Sequence, residues 1–298
     1  MVKLKKKTLK GKSYYYLEHS TRAGKKVQKK EIYLGTKIPT NIDELKKNFL
    51  DSIYRKRWYN DIDRIKQEFS KEQRTMPKSV KEKELQNFAT RFTYDTQRIE
   101  GSTLTRRETT ELLERGITPK SKPMRDVHEA QAHMELFYEI LKSKKELSLQ
   151  TVLDWHWKLF QLTKPDIAGK IRKNQVTISG SKFVPPSHVE VYPMLTEFFR
   201  WYHKNKHKLH PVKLAALAHL KFVTIHPFGD GNGRITRLVM NFILNRKNYP
   251  MLDIPYEGRN SYYNALERSQ LKKEDRIFLQ WLVKRYIKEY RRYLRDER

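Results

Sequence analysis

Hydrophobic residues recur at helical spacing along most of this chain, and only two short stretches break that rhythm. The first lies in residues 1–40. Tyr14-Tyr-Tyr-Leu17 and Glu31-Ile-Tyr-Leu34 are short aromatic and aliphatic runs, separated by the polar segment Ser20-Thr-Arg-Ala-Gly24. Runs of that kind around a glycine-containing turn predict a β-hairpin or a three-stranded sheet. From Asn41 the apolar residues fall at i, i+3 and i+4, as on one face of a helix: Leu45, Phe49 and Ile53, then Ile62, Ile65 and Phe69. Pro77 punctuates, and a second helix runs through Leu85, Phe88, Phe92 and Ile99 to a stop at Glu100-Gly101. Thr105-Arg-Arg-Glu108 has the spacing of a capping box and opens a helix that ends near Gly116. Helical spacing returns at 127–141, 149–162, 194–202, 214–225 and 235–244, and a final amphipathic helix is expected over 277–294. The second break is Val176-Thr-Ile-Ser-Gly-Ser-Lys-Phe-Val184, closed by Pro185-Pro186, which reads as a β-hairpin inserted among helices.

Composition changes this picture in two ways. Hydrophobic residues make up 38% of 298 and aromatics 12%, so a sizeable core is available to a chain with 63 Lys and Arg against 34 Asp and Glu. The net charge of +29 is uneven, with twelve Lys and Arg and only two Asp and Glu in residues 1–40. There Lys25, Lys26, Lys29 and Lys30 flank the expected strands, and a nucleic-acid partner stands against a merely solvated sheet face. The chain has no cysteine, which excludes disulfides and thiolate metal sites and is compatible with a reducing cytoplasm. No apolar run approaches the ~20 residues of a membrane span, and no apolar stretch follows the N-terminal lysines, so neither a membrane segment nor a signal peptide is expected.

The candidate chemistry is concentrated in His226-Pro-Phe-Gly-Asp-Gly-Asn-Gly-Arg-Ile-Thr-Arg237. Gly229, Gly231 and Gly233 bare the backbone where it must bend or approach a ligand, and a helix is expected to begin near Gly233. The unpaired N–H groups of that first turn favour an anion, most simply a phosphate. Arg234 and Arg237 are three residues apart and share a helix face, so they can hold successive phosphate oxygens. Asp230 is a hard oxygen ligand suited to Mg²⁺ beside a polyphosphate, and His226 can take a proton from an incoming hydroxyl. Rival motifs fail. The glycines follow a helix rather than a strand, there is no P-loop, and an EF-hand counted from Asp230 would put Ile235 where its glycine belongs. His203 and His207 are four apart but lack a zincin's glutamate, and His156 reads as helix packing.

The loop resembles the signature of Fic-domain proteins at every defining position, and the likeness extends over roughly residues 85–285. It takes in the hairpin with Pro185-Pro186 and Tyr262-Tyr263-Asn-Ala-Leu266. The resemblance implies a mainly α fold, a Fic-type helical bundle with an inserted β-hairpin flap, here preceded by a small basic β-sheet. It implies transfer of AMP from ATP to a Ser, Thr or Tyr hydroxyl of a protein, with ATP and Mg²⁺ as cofactors. By that likeness His226 is the general base, and Asp230 holds Mg²⁺. Gly231, Asn232 and Gly233 form the anion loop with Arg234, Arg237 reaches the γ-phosphate, and Phe228 anchors the loop in the core. The flap around Ile178–Phe183 pairs with the target backbone, putting Lys182 and Phe183 beside the nucleotide. Tyr263 is expected near the adenine, with Gln270 a further candidate there.

Thr96-Gln-Arg-Ile-Glu100-Gly101 is similar to the family's inhibitory helix, in the class that carries it N-terminal to the Fic core. A carboxylate at Glu100 can occupy Arg237 and keep it from the γ-phosphate, leaving ATP poorly posed for in-line attack. In some relatives the corresponding glutamate positions water for removing AMP, so de-AMPylation at the same site stays open. So does a nucleic-acid-binding regulator in which the Fic core senses nucleotide. Other relatives move phosphate or phosphocholine. Many carry a C-terminal winged helix, for which no residues follow the final helix here. Dimers are common in the family, and nothing in the sequence identifies an interface. The expected organisation is a basic β-rich module over 1–40, N-terminal helices over 41–83, and a Fic domain over 84–298, with its inhibitory helix at about 84–101 and its loop at 226–237.

Overall fold

The computed structural model describes residues 2–23 and 26–294. It divides into two compact units, Met1–Arg64 and Ile65–Arg298. The first contains β1 (Lys3–Leu9), β2 (Lys12–Ala23) and β3 (Lys26–Gly35), an antiparallel sheet in the order β1-β2-β3. Helix α1 (Ile42–Tyr54) packs on β2. The sequence placed a turn over Ser20–Gly24, but β2 continues through Ala23, because each residue from Ser20 on finds a partner in β3. Lys26, Lys29 and Lys30 therefore lie within β3 rather than beside it, while Gly24 and Lys25 fall outside the described residues.

One π-helical turn, Arg55–Tyr59, follows α1 and leads into α2 (Asn60–Thr75). It explains why the apolar face slips after Ile53. A π turn holds an extra residue, so the stripe resumes at Ile62 instead of one position earlier. Pro77 caps α3 (Lys78–Ile99), which stops at Glu100 and at Gly101 with φ +95°. The capping box at Thr105 forms, with Glu108 N–H donating to the Thr105 hydroxyl at 3.2 Å and Thr105 N–H to the Glu108 carboxylate at 2.8 Å. It starts α4 (Arg106–Arg115), and left-handed Gly116 ends it. Helices α5 (Met124–Lys142) and α6 (Leu149–Phe160) follow.

Helix α7 (His188–Asn205) begins well before the expected 194, since a second capping box, Ser187 with Glu190, starts it and Pro193 is carried inside it. Helices α8 (Pro211–Ile225) and α9 (Asn232–Arg246) form the centre. Both are buried on nearly every side, as a helix apolar all round must be. They pack on each other, with α7 and α11 (Asp275–Glu289) against α8, and α3, α5 and α6 against α9. Helix α10 (Arg259–Lys272) packs on α11.

Two expectations need correction. The final helix ends at Glu289, not at 294. Tyr290 turns out of it to donate its hydroxyl to the Met251 carbonyl, and Tyr293 reaches Glu72. Residues 176–184 form no strand ladder. They do turn back at Gly180, where φ is +74° and Ser181 N–H donates to the Ile178 carbonyl at 3.1 Å. The rungs are replaced by side chains. The Gln175 amide donates to the Val176 and Pro185 carbonyls at 3.3 and 3.0 Å, and the prolines at 185 and 186 have no N–H to offer a ladder. No helix among the described residues is long and apolar enough to cross a membrane.

Candidate active site

The site is built where α8 hands over to α9. His226 caps α8 with φ 53° and ψ 59°, a left-handed conformation that a residue with a Cβ adopts only at a cost. Three groups hold it there. Its N–H donates to the Phe222 carbonyl at 3.2 Å, its Nδ1 lies 3.3 Å from the Val223 carbonyl, and its own carbonyl accepts from Arg172 Nε at 2.8 Å. A carbonyl can only accept, so Nδ1 carries the proton and Nε2 keeps its lone pair. Buried Arg172 also donates to the Asn174 and Pro186 carbonyls at 2.9 and 2.6 Å, tying both ends of the flap segment to the His226 backbone.

Phe228 is buried, and Asn232 clamps the turn around it. Phe228 N–H donates to the Asn232 carboxamide oxygen and the carboxamide nitrogen donates back to the Phe228 carbonyl, both at 2.9 Å. The Asn232 side chain thus shapes the loop and is not available to an anion. His156 stacks on Phe228 with centroids 3.9 Å apart. Gly169 N–H donates to its Nδ1 at 2.9 Å, so Nε2 bears the proton and donates to the Asp230 carbonyl at 3.0 Å. Burial pushes this imidazole down to about 4, which keeps it neutral. The sequence reading as helix packing missed this support of the 226–237 loop. The WHW run around it carries no sign of a partner 74 residues away.

Gly231 starts α9 with φ +77°, and a Cβ there would collide with the Phe160 ring. The N–H groups of residues 232–234 precede the first bond of the helix, from Ile235 N–H to the Gly231 carbonyl at 3.0 Å, and make its electropositive end. Helix α3 delivers the opposing charge. Glu100 Oε1 accepts from Arg237 at 2.6 Å and lies so close to Gly233 that any Cβ at 233 would strike it. Arg237 is fully buried and also donates to the Thr96 hydroxyl at 2.5 Å and the Thr96 carbonyl at 3.3 Å. Thr96 and Glu100 thus meet Arg237 from one face of α3, while Gly101 lets the chain leave α3 directly after Glu100.

Arg234 is also buried, but it does not stand beside Arg237 on a common clamp. It donates to Glu129, to Gln97 at 3.1 Å and to Asp230 Oδ1 at 3.1 Å. The Asp230 carboxylate is half-buried. It accepts from Gly231 N–H at 2.5 Å through Oδ1 and from Lys164 through Oδ2. Burial would raise Asp230, but Arg234 and Lys164 outweigh it and hold the carboxyl at about 2. As a partly accessible hard oxygen beside the electropositive end of α9, Asp230 is of a kind that suits Mg²⁺, which takes few protein ligands and completes its shell with phosphate and water. Among the described residues no group of three His, Asp or Glu could hold a metal. Sequence reasoning missed Gln97, Glu129, Lys164 and Arg172, because each acts on a partner 54 or more residues away.

The outlying candidates are less closely gathered. Tyr263 is partly exposed on α10, and its hydroxyl donates to the Ile99 carbonyl at the end of α3, 2.9 Å away. The flap turn is fastened to the same helix. Glu267 accepts from the Ser181 hydroxyl at 3.1 Å and from Lys182 N–H at 2.6 Å, while Phe183 N–H donates to Ser181 at 3.1 Å. The Lys182 side chain is exposed. Gln270 lies apart, donating to Thr224 at 3.2 Å in a cavity of about 310 Å³ that it lines with Met194, Trp201 and Lys221. His203 and His207 are exposed on the surface.

The chain is similar to known proteins in sequence and in fold. Residues 146–244 match the Fic/DOC family. The chain is 36% identical over 179 residues to the protein adenylyltransferase Fic of Drosophila ananassae, and 35% identical to that of Drosophila melanogaster over the same length. The match covers 58% of this chain but only 35% and 36% of those relatives, so the chain spans about a third of their length. A Fic-domain-containing signaling protein from Bacteroides thetaiotaomicron superposes with a TM-score of 0.68 at 28% identity, over 78% of this chain and 95% of that one. Fic-1 of C. elegans (residues 134–508) gives 0.69 at 28% identity, over 86% and 77%.

Proposed function

We propose that this chain, which carries a Fic domain of the Fic/DOC family, is a protein adenylyltransferase held back by its own Glu100. The observation that carries the reading is the neutral, preset imidazole of His226 at the edge of an anion pocket. In the reaction a Ser, Thr or Tyr hydroxyl oxygen forms a bond to the α-phosphorus of ATP. The bond from that phosphorus to the bridging oxygen breaks, and pyrophosphate leaves. His226 Nε2 takes the hydroxyl proton. The first turn of α9 receives phosphate oxygens, and Arg237 serves the terminal phosphate once Glu100 has left it. Asp230 would hold Mg²⁺, which supplies positive charge to the phosphates. Arg234 acts on the nucleotide chiefly by fixing Asp230. The flap at 176–184, which turns at Gly180 and makes no strand ladder of its own, offers backbone N–H and C=O groups to a target strand. The names of the curated relatives support this reaction class. Incubation with Mg²⁺ and ATP labelled at the α-phosphate should attach label to protein. Label carried only by the γ-phosphate would instead mean phosphate transfer and overturn the reading.

Two results follow from the site's charges. Burial holds the His226 imidazolium below its ordinary value of 6.5, with Arg172 adding to the effect and Val223 and Glu100 opposing it. A base must be neutral to act, so kcat/KM for AMP transfer should fall only on an acid limb centred below 6.5. Removing Glu100 should move that limb lower still, and a limb at or above the ordinary value would argue against His226 as the base. Lys164 bears on metal affinity, because its ammonium sits on the Asp230 oxygen that Mg²⁺ would use. Lys164→Met should lower the Mg²⁺ concentration for half-maximal nucleotide binding by about tenfold, given the strength of a close charge pair. Calorimetric titration with a non-hydrolysable ATP analogue measures it, and an unchanged or weakened Mg²⁺ requirement would show that Lys164 does not compete.

A further inference from the structure

The sheet of the first unit has two unlike faces. Strand alternation and the observed register put Leu4, Leu17 and Ile32 in one row. That row belongs to the face where Leu17 and His19 are buried and α1 packs. The rows Lys5–Tyr16–Tyr33 and Lys7–Tyr14 belong to the other face. There Tyr33 lies 5.2 Å from Tyr16 and 6.3 Å from Tyr14, ring to ring, and remains 54% exposed. Lys7 sits 4.4 Å over the Tyr16 ring.

Two glutamates share this face, and both are matched by lysines. Glu18 pairs with Lys5 at 2.9 Å, and Glu31 pairs with Lys7 at 2.7 Å and with Lys5 at 3.4 Å. Their charge is spent within the lattice. Around it stand exposed Lys3, Lys10, Lys12 and Lys29. The surface therefore offers flat aromatic rings at its centre and a positive rim.

An exposed aromatic cluster in a polar rim marks a surface made for an occupant. The strongly positive balance of residues 1–40 asks for an anionic one, and the rings ask for flat groups to stack on them. Unpaired nucleobases on a phosphate backbone meet both demands at once. A duplex keeps its bases stacked on each other and shows only their edges. An acidic peptide matches the charge but leaves the rings without a stacking partner.

We propose that this face binds single-stranded nucleic acid, with bases stacked on Tyr14, Tyr16 and Tyr33 and phosphates drawn to the surrounding lysines. The inference is independent of the reading of the catalytic loop. The test uses the full chain and fluorescence anisotropy with labelled strands of about 12 nucleotides, within the usual site size of such surfaces. DNA and RNA of one sequence and the matching duplex are compared between about 50 and 200 mM salt. Single strands should bind, with log K falling linearly in log salt. Tyr33→Phe should keep that affinity, and Tyr33→Leu, equally apolar but without a π face, should weaken it by about tenfold with the salt slope unchanged. Ultraviolet crosslinking of the unmodified protein should place the adduct on Tyr14, Tyr16 or Tyr33, a readout that does not depend on any variant folding. Absence of binding, a duplex bound as tightly as the single strand, full affinity in folded Tyr33→Leu, or crosslinks confined to other peptides would each overturn the proposal.

Discussion

Replacing Glu100 by glycine is expected to raise the rate of AMP transfer by roughly 10- to 100-fold, the range given by the ~1.5–3 kcal/mol of a hydrogen bond to a charged group. Glu100 meets Arg237 at one nitrogen and fills the space over Gly233. Thr96 holds Arg237 separately, through Nε at 2.5 Å. The substitution therefore empties the anion pocket while leaving the guanidinium where it was. Glycine is also tolerable there, because residue 100 sits at φ −92° and ψ 8°, past the last turn of α3. A second signature separates release from mere loosening. Without Glu100 a buried Arg237 lacks its carboxylate, so the nucleotide-free protein should melt lower. ATP supplies the missing negative charge, so the stabilisation by ATP should grow. Initial rates with labelled ATP and thermal melts with and without nucleotide read both effects. An unchanged rate together with an unchanged response to ATP would sink the assignment of Glu100 as a block.

The largest loss is expected at His226. His226→Asn should lower transfer by about a hundredfold to ten-thousandfold, the usual contribution of a positioned base. Asparagine is the informative choice. The residue sits in the left-handed region at the end of α8, where asparagine is accepted and alanine would add backbone strain to the loss of the imidazole. The anion pocket, Arg237 and Asp230 are untouched, so ATP affinity measured by titration should stay within about twofold of the parent. Activity within tenfold of the parent would mean that the proton leaves by another route. Weakened ATP binding would mean that the residue shapes the pocket rather than the chemistry.

The chain disclosed its helices wherever an apolar stripe ran unbroken and a capping residue marked an end. Thr105 with Glu108, Pro77, and Gly101 after Glu100 are cases in which local physics dictates the boundary. Boundaries were lost where a tertiary partner decides. Tyr290 leaves its helix for a carbonyl 39 residues earlier, and the 176–184 segment trades ladder bonds for Gln175 and Glu267 side chains. The candidate loop was legible because its residues are consecutive. The groups that set it in place were not. Glu129 and Lys164 approach Arg234 and Asp230 from more than sixty residues away, and His156 and Arg172 act on the loop's carbonyls. A carbonyl is the same at every position of a sequence, so nothing in the string of residues marks the ones that are used.

The bare Cα of Gly233 admits whatever sits at the head of α9, and in this structure that is Glu100. Plug and proposed substrate thus share one hole. A side chain at 233 would have to displace the Glu100 carboxylate from that space. On the proposed reading, changes that loosen the end of α3, such as loss of the Tyr263 hydroxyl on the Ile99 carbonyl, should also raise activity.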